Sequence, residues 1–110
     1  MRGYYVIKRG LPDTFHFILK TENHQIILTS EPYSSRQGAH IGIHSCQHNS
    51  PHDTHYDKRT TFASHPYFVL RAGNGEIVGT GQTYAFNAGR DAGISSCKVN
   101  GPTTTIIDKV

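Results

Sequence analysis

The chain has 110 residues, 35% of them hydrophobic, and 11 Lys and Arg against 8 Asp and Glu leave it a formal charge of +3. A chain of that length makes one domain able to bury roughly two-thirds of its unfolded surface. No apolar run approaches the roughly 20 residues of a membrane span, and the opening MRGYYVIKRG lacks a signal-peptide core, so a cytoplasmic protein with no membrane partner is expected. The scattered cations admit an anionic partner without demanding one.

In chain order, Tyr4–Lys8 reads as an opening strand, and Phe15, Phe17 and Leu19 alternate with His16 and Lys20 in the period-two pattern of a strand with one buried face. TENHQ, with Asn23, then turns the chain into a strand at Ile26–Thr29. After Tyr33 the period changes, and spacing of three and four at Ala39, Gly42, Ile43 and Cys46 marks the apolar stripe of a helix. Ser34 or Ser35 can cap that helix, which should stop near Asn49, before Pro51.

The chain then repeats itself. Phe17–Pro51 aligns on Phe68–Pro102 without a gap at an offset of 51, with 13 of 35 pairs identical. Tyr67–Arg71 and Ile77–Thr80 therefore read as strands joined by a turn at Asn74-Gly75, and a second helix, with Asn87 as its cap, carries Gly93, Ile94 and Cys97 and ends near Asn100. Thr54, Asp57 and Lys58 recur as Thr105, Asp108 and Lys109, which extends the repeat to a closing strand near Ile106–Asp108. Each unit reads strand, strand, strand, helix, strand. The expectation is a single domain over residues 1–110 built of two repeats, about 1–58 and 52–110, sharing the strand near 54–59. It should be a monomer with pseudo-twofold symmetry.

Gly38 and Gly42, matched by Gly89 and Gly93, each cost roughly 0.5 to 1 kcal/mol inside a helix, so close approach of the helix backbone to a neighbour is expected there. Cys46 and Cys97 occupy equivalent positions and read as packing residues.

The order N-x-[QE]-I-[IV]-x-[TS], then Tyr, then a helix with Gly-Ile-x-Ser-x-x-x-Asn, resembles the YegP-like family of small, mostly bacterial proteins of unassigned function. The matching residues are Asn23, Ile26, Tyr33, Gly42 and Ile43, then Asn74, Ile77, Tyr84, Gly93 and Ile94. The resemblance implies an α+β fold in which two β(3)-α-β units form one antiparallel sheet, with swapped carboxy-terminal strands and both helices on one face. It supplies no catalytic residue and no cofactor.

His40, His44 and His48 follow one another at four-residue spacing, with His52 and His55 beyond. Imidazoles four apart on a helix can share a Zn, Ni or Cu ion, which makes these three the candidate metal ligands. Their counterparts are Asp91, Ser95 and Val99, so the fold itself does not require them.

No nucleophile elbow, P-loop or HExxH is present, and no catalytic residue is assigned. The expected function is a non-enzymatic binding or interaction module with a protein or nucleic-acid partner. The nucleic-acid alternative rests on Lys20, Lys58, Arg59 and Arg71 among Tyr and Phe residues of a small sheet. Its rival is that Phe17 and Phe68 face the helices as core.

Overall fold

The computed structural model describes residues 3–110. Seven strands and two helices follow one another as β1 (Tyr4–Gly10), β2 (Thr14–Lys20), β3 (Ile26–Ser30), α1 (Arg36–Asn49), a 3-10 turn at Asp53–His55, β4 (Tyr56–Thr60), β5 (Pro66–Arg71), β6 (Ile77–Gly81), α2 (Asn87–Asn100) and β7 (Ile106–Asp108). The strands form one sheet in the order β4-β5-β6-β3-β2-β1-β7. All pairings are antiparallel except that of β7, which crosses from the second repeat and lies parallel to β1 of the first. The halves join at β3 and β6, where Thr29 pairs with Thr80, its own counterpart at the offset of 51.

The alternation seen in the sequence sets which face is covered. Tyr5, Ile7, Phe17, Leu19, Phe68 and Leu70 point to one side and pack with Ala39, Ile43, Cys46, Ile94 and Cys97 of the helices into a single core. Both helices therefore lie on the same face. The tight turns fall where expected, but the positive φ sits at His24 (68°) and its counterpart Gly75 (87°), one residue after each Asn.

Ser35 caps α1, its hydroxyl accepting from the Gly38 N–H at 2.9 Å. The second helix corrects the expectation of an Asn87 cap: Asn87 is already helical, and the capping position belongs to Phe86, the counterpart of Ser35, which has no oxygen to offer. The helix start follows the repeat rather than the best capping residue nearby.

At the other ends, two tyrosines make the same cross-repeat bond. Tyr5 donates to the Gly101 carbonyl at 2.5 Å, and Tyr56 donates to the Ser50 carbonyl at 2.6 Å, satisfying acceptors that each helix end leaves open. Among the described residues, no helix is long and apolar enough to cross a membrane.

Candidate functional site

The three histidines proposed from spacing are not gathered at one point. His40 turns toward β7, its Nε2 3.5 Å from Asp108 Oδ2, beside Arg36. His44 is exposed. His48 instead leans toward His52, with ring centroids 6.3 Å apart, and His52 lies 5.8 Å from His55. These three rim an open cavity of about 550 Å³ that Ser45, Asn49 and Asn74 help to line. His55 Nδ1 sits 2.9 Å from the Arg71 carbonyl, which can only accept, so Nδ1 carries the proton. Among the described residues, no group of three or more His, Cys, Asp or Glu side chains is placed to hold a metal ion. The helical spacing pointed along α1, whereas the chain leaving α1 brings His52 and His55 back to His48.

The thiols are core groups. Cys46 and Cys97 are fully buried and free, and burial holds both in the protonated form, pushing Cys97 up to about 12 and Cys46 higher still. A thiol held neutral in this way is a poor nucleophile.

The sheet face away from the helices is uncovered by any helix of the described residues. Its central row runs in register across six strands: Val6, Ile18, Thr29, Thr80, Val69 and Asp57. Val6, Ile18 and Val69 are only 3%, 5% and 2% exposed although no helix lies over them. The neighbouring long side chains of the same face supply that cover, as amphipathic stems do over apolar surface. By strand alternation these are Tyr4, Lys8, Lys20, Arg59, Tyr67 and Arg71. Tyr4 pairs across strands with Lys20, and Tyr67 with Arg59, so each half-buried phenol has a cation beside it.

Among the described residues, four cations thus share this face with one carboxylate. Arg71 donates to Asp57 through Nε and to the Gly75 carbonyl through Nη1 at 2.6 Å, while Arg59 Nη2 stands 3.5 Å from Asp57. The Arg71 hydrogen bond holds the Asp57 carboxyl below its ordinary range, keeping it charged. Lys8 and Lys20 have no carboxylate within 4 Å among the described residues. The Tyr4 hydroxyl is tied to His24 Nδ1 at 2.6 Å, which fixes the ring over the turn.

Of the four cations expected from sequence, Lys20, Arg59 and Arg71 lie on this face, and Lys58 does not. It points to the helix side and pairs with Asp91 of α2 at 3.4 Å. Lys8, Tyr4 and Tyr67 went unrecognised, although the alternation that buries Tyr5, Ile7 and Phe68 already turns their neighbours outward. Phe17 and Phe68 are wholly buried beneath the helices, so the stacking surface consists of tyrosines alone.

A tandem β(3)-α-β sheet with one face under helices and the other cationic defines a small α+β repeat protein built around an open sheet. The chain belongs to the family described as a domain of unknown function, DUF1508, whose pattern matches twice, at residues 13–57 and 63–108. It is 46% identical over 108 residues to a UPF0339 protein of Shewanella oneidensis, covering 98% of both chains, and 40% identical over 108 residues to the UPF0339 protein YegP of Escherichia coli strain K12, again covering 98% of both. The solution NMR structure of the UPF0339 protein from Shewanella oneidensis matches with a TM-score of 0.91 at 46% identity, covering 98% of this chain and 92% of that one. That of yegP from Escherichia coli, a protein of unknown function, matches with a TM-score of 0.93 at 39% identity, covering 99% and 94%.

Proposed function

We propose that the protein is a non-enzymatic binding module, a cytoplasmic monomer that receives a single-stranded nucleic acid on the open face of its sheet. The observation that carries the reading is the pairing of two half-buried tyrosines with neighbouring cations, Tyr4 with Lys20 and Tyr67 with Arg59, on a face with a single carboxylate. Phosphates would meet Lys8, Lys20 and Arg59, and unstacked bases would lie on the phenol rings, at about 1–3 kcal/mol for each stacked base. An open sheet face of this kind suits a flexible single strand better than a stiff duplex.

The test is fluorescence anisotropy with an oligonucleotide of about 15 residues. Binding should weaken roughly 20- to 50-fold between 50 mM and 200 mM salt, as expected for three or four phosphate contacts to a single strand. Lys20→Ala and Tyr67→Ala should each weaken it, the first with a shallower salt dependence. Absence of binding at low salt, or binding by both variants as tight as the parent's, rules against the reading.

A further inference from the structure

β1 and β4 open the two repeats and occupy equivalent places, yet their outer edges differ. Along β1 lies β7, with Tyr5 opposite Ile106, Val6 opposite Ile107 and Ile7 opposite Asp108. The Tyr5 N–H donates to the Thr105 carbonyl and the Lys109 N–H to the Ile7 carbonyl, each at 3.0 Å. Helix α1 holds the same segment from the other side. Gln47 Nε2 donates to the Thr103 carbonyl at 2.8 Å, and Arg36 and His40 both grip Asp108.

The offset of 51 places the strand that would lie along β4 at residues 55–57, of which His55 ends the 3-10 turn and the other two begin β4 itself. A strand cannot pair with itself, so no strand among the described residues fills the second slot. What remains is a groove of about 320 Å³ between β4 and α2, lined by Asp53, Tyr56, Lys58, Asp91, Ile94, Ser95 and Lys98, with Lys98 bonded to Asp53. All but Asp53, whose counterpart lies outside the described residues, match residues around β7, in order Tyr5, Ile7, His40, Ile43, His44 and Gln47. The Tyr56 N–H is taken by the Asp53 carbonyl, whereas the Lys58 carbonyl, equivalent to that of Ile7, faces the open edge. Lys58 and Asp91 pair with each other at 3.4 Å along the groove wall.

We propose that this groove is a docking site for an extended segment of a partner protein, added in parallel to β4 in the register that β7 takes on β1. Strand addition of this kind draws affinity from main-chain hydrogen bonds and specificity from alternate side-chain seats. The internal copy defines both seats. An aliphatic side chain takes the place of Ile106, against Tyr56 and Ile94. A basic side chain takes the place of Asp108, because Asn87 and Asp91 stand where Arg36 and His40 hold that acid, and it would exchange with Lys58 and Arg90, which pair with Asp91 in the free protein. This groove is separate from the open face, so its occupation and that of the face are independent.

The test uses the intact protein labelled with nitrogen-15 and two synthetic octapeptides, TTTIIDKV, which is the chain's own ending, and the same peptide with lysine for its aspartate. At about 1 mM, the lysine peptide should shift the amides of Tyr56–Thr60 and of the Asp91–Lys98 side of α2, and should bind about tenfold more tightly than the aspartate peptide. Ser95→Trp, at an exposed position, should fill the groove and abolish the shifts, and Asp91→Lys should reverse the preference between the peptides. Shifts confined to the open face or to β7, equal binding of the two peptides, or no shift on β4 overturns the proposal. So does concentration-dependent dimerisation that the aspartate peptide competes away, since a second copy would then be the occupant.

Discussion

Tyr33 lies so close under Gly42 that a β-carbon on the glycine would overlap the phenol hydroxyl, and Tyr84 stands in the same relation to Gly93. The helix glycines are therefore points of close approach, as their cost in helix propensity suggested. Gly38 is less confined, with the nearest atoms of Ser35 and Tyr33 at 3.2 and 3.4 Å from such a carbon. Gly42→Ala and Gly93→Ala should each destabilise the protein by about 1–3 kcal/mol, because the ring beneath must move out of its packed position. Gly38→Ala should stay within about 1 kcal/mol of the parent, since gained helix propensity offsets the mild crowding. Urea unfolding of the three variants checks the ranking, and equal effects at Gly38 and Gly42 would contradict it.

Ser50 and Gly101 are counterparts that meet each other, and a β-carbon on Gly101 would run into the Ser50 side chain. Only one of the two positions has room for a side chain. Gly101→Ala should cost about 1–3 kcal/mol alone, and combining it with Ser50→Gly should recover most of the loss. A double-mutant cycle by thermal or urea unfolding measures that coupling. Additive effects would mean that the two sites do not compete for the same space.

Alkaline pH should loosen the fold through the core thiols. Their pKa values are raised by burial in the folded state, so their stabilising effect is complete below the unfolded value of about 8.5 and is lost as pH rises from there toward about 12. The expected slope is about 1.4 kcal/mol per pH unit for each thiol. Buried Tyr5 and Tyr56 extend the loss above about pH 10. Urea midpoints at pH 7, 8.5 and 9.5 should fall in that order, and a Cys46→Val, Cys97→Val protein should hold its midpoint over the same range. Rapid reaction of either thiol with Ellman's reagent at pH 8 in the folded protein would contradict this account.

Acid acts with the opposite sign through two carboxylates. Asp57 is held below its ordinary range by the Arg71 hydrogen bond, and Asp108 by the Val110 amide together with Arg36 and His40. Depressed values in the folded state stabilise it above the unfolded pKa of about 3.9, and that contribution disappears as pH falls below it. Both groups are solvent-screened, so the effect is expected to be small. Asp108→Asn should nonetheless show a shallower loss of stability between pH 5 and pH 3 than the parent, by urea unfolding at low salt.

Alternation at Phe15, Phe17 and Leu19 and the offset of 51 were enough to place every strand and both helices, because each states a local period twice. What local period could not carry was direction. The parallel seat of β7 beside β1 depends on where α2 delivers the chain, and no residue of Ile106–Asp108 encodes it. Phe86 at the start of α2 shows the same limit, since tertiary position there overrides the capping preference of Asn87. For the open face, Lys20, Arg59 and Arg71 were legible as cations, while Lys58 was misplaced because its facing depends on strand register rather than on charge. The histidines were legible as a group, but their grouping was not. His52 and His55 reach His48 only through the turn that follows α1.

β7 is the last strand of the chain and β1 the first, and they lie side by side at one edge of the sheet. During synthesis, the first repeat therefore emerges with the outer edge of β1 unpaired, and it stays so until residue 108 has left the ribosome. Seams of this kind make pairing at one edge of the sheet wait for synthesis of the second repeat. A protein whose two halves share a fold in this way completes the edge of the first half only once the second exists.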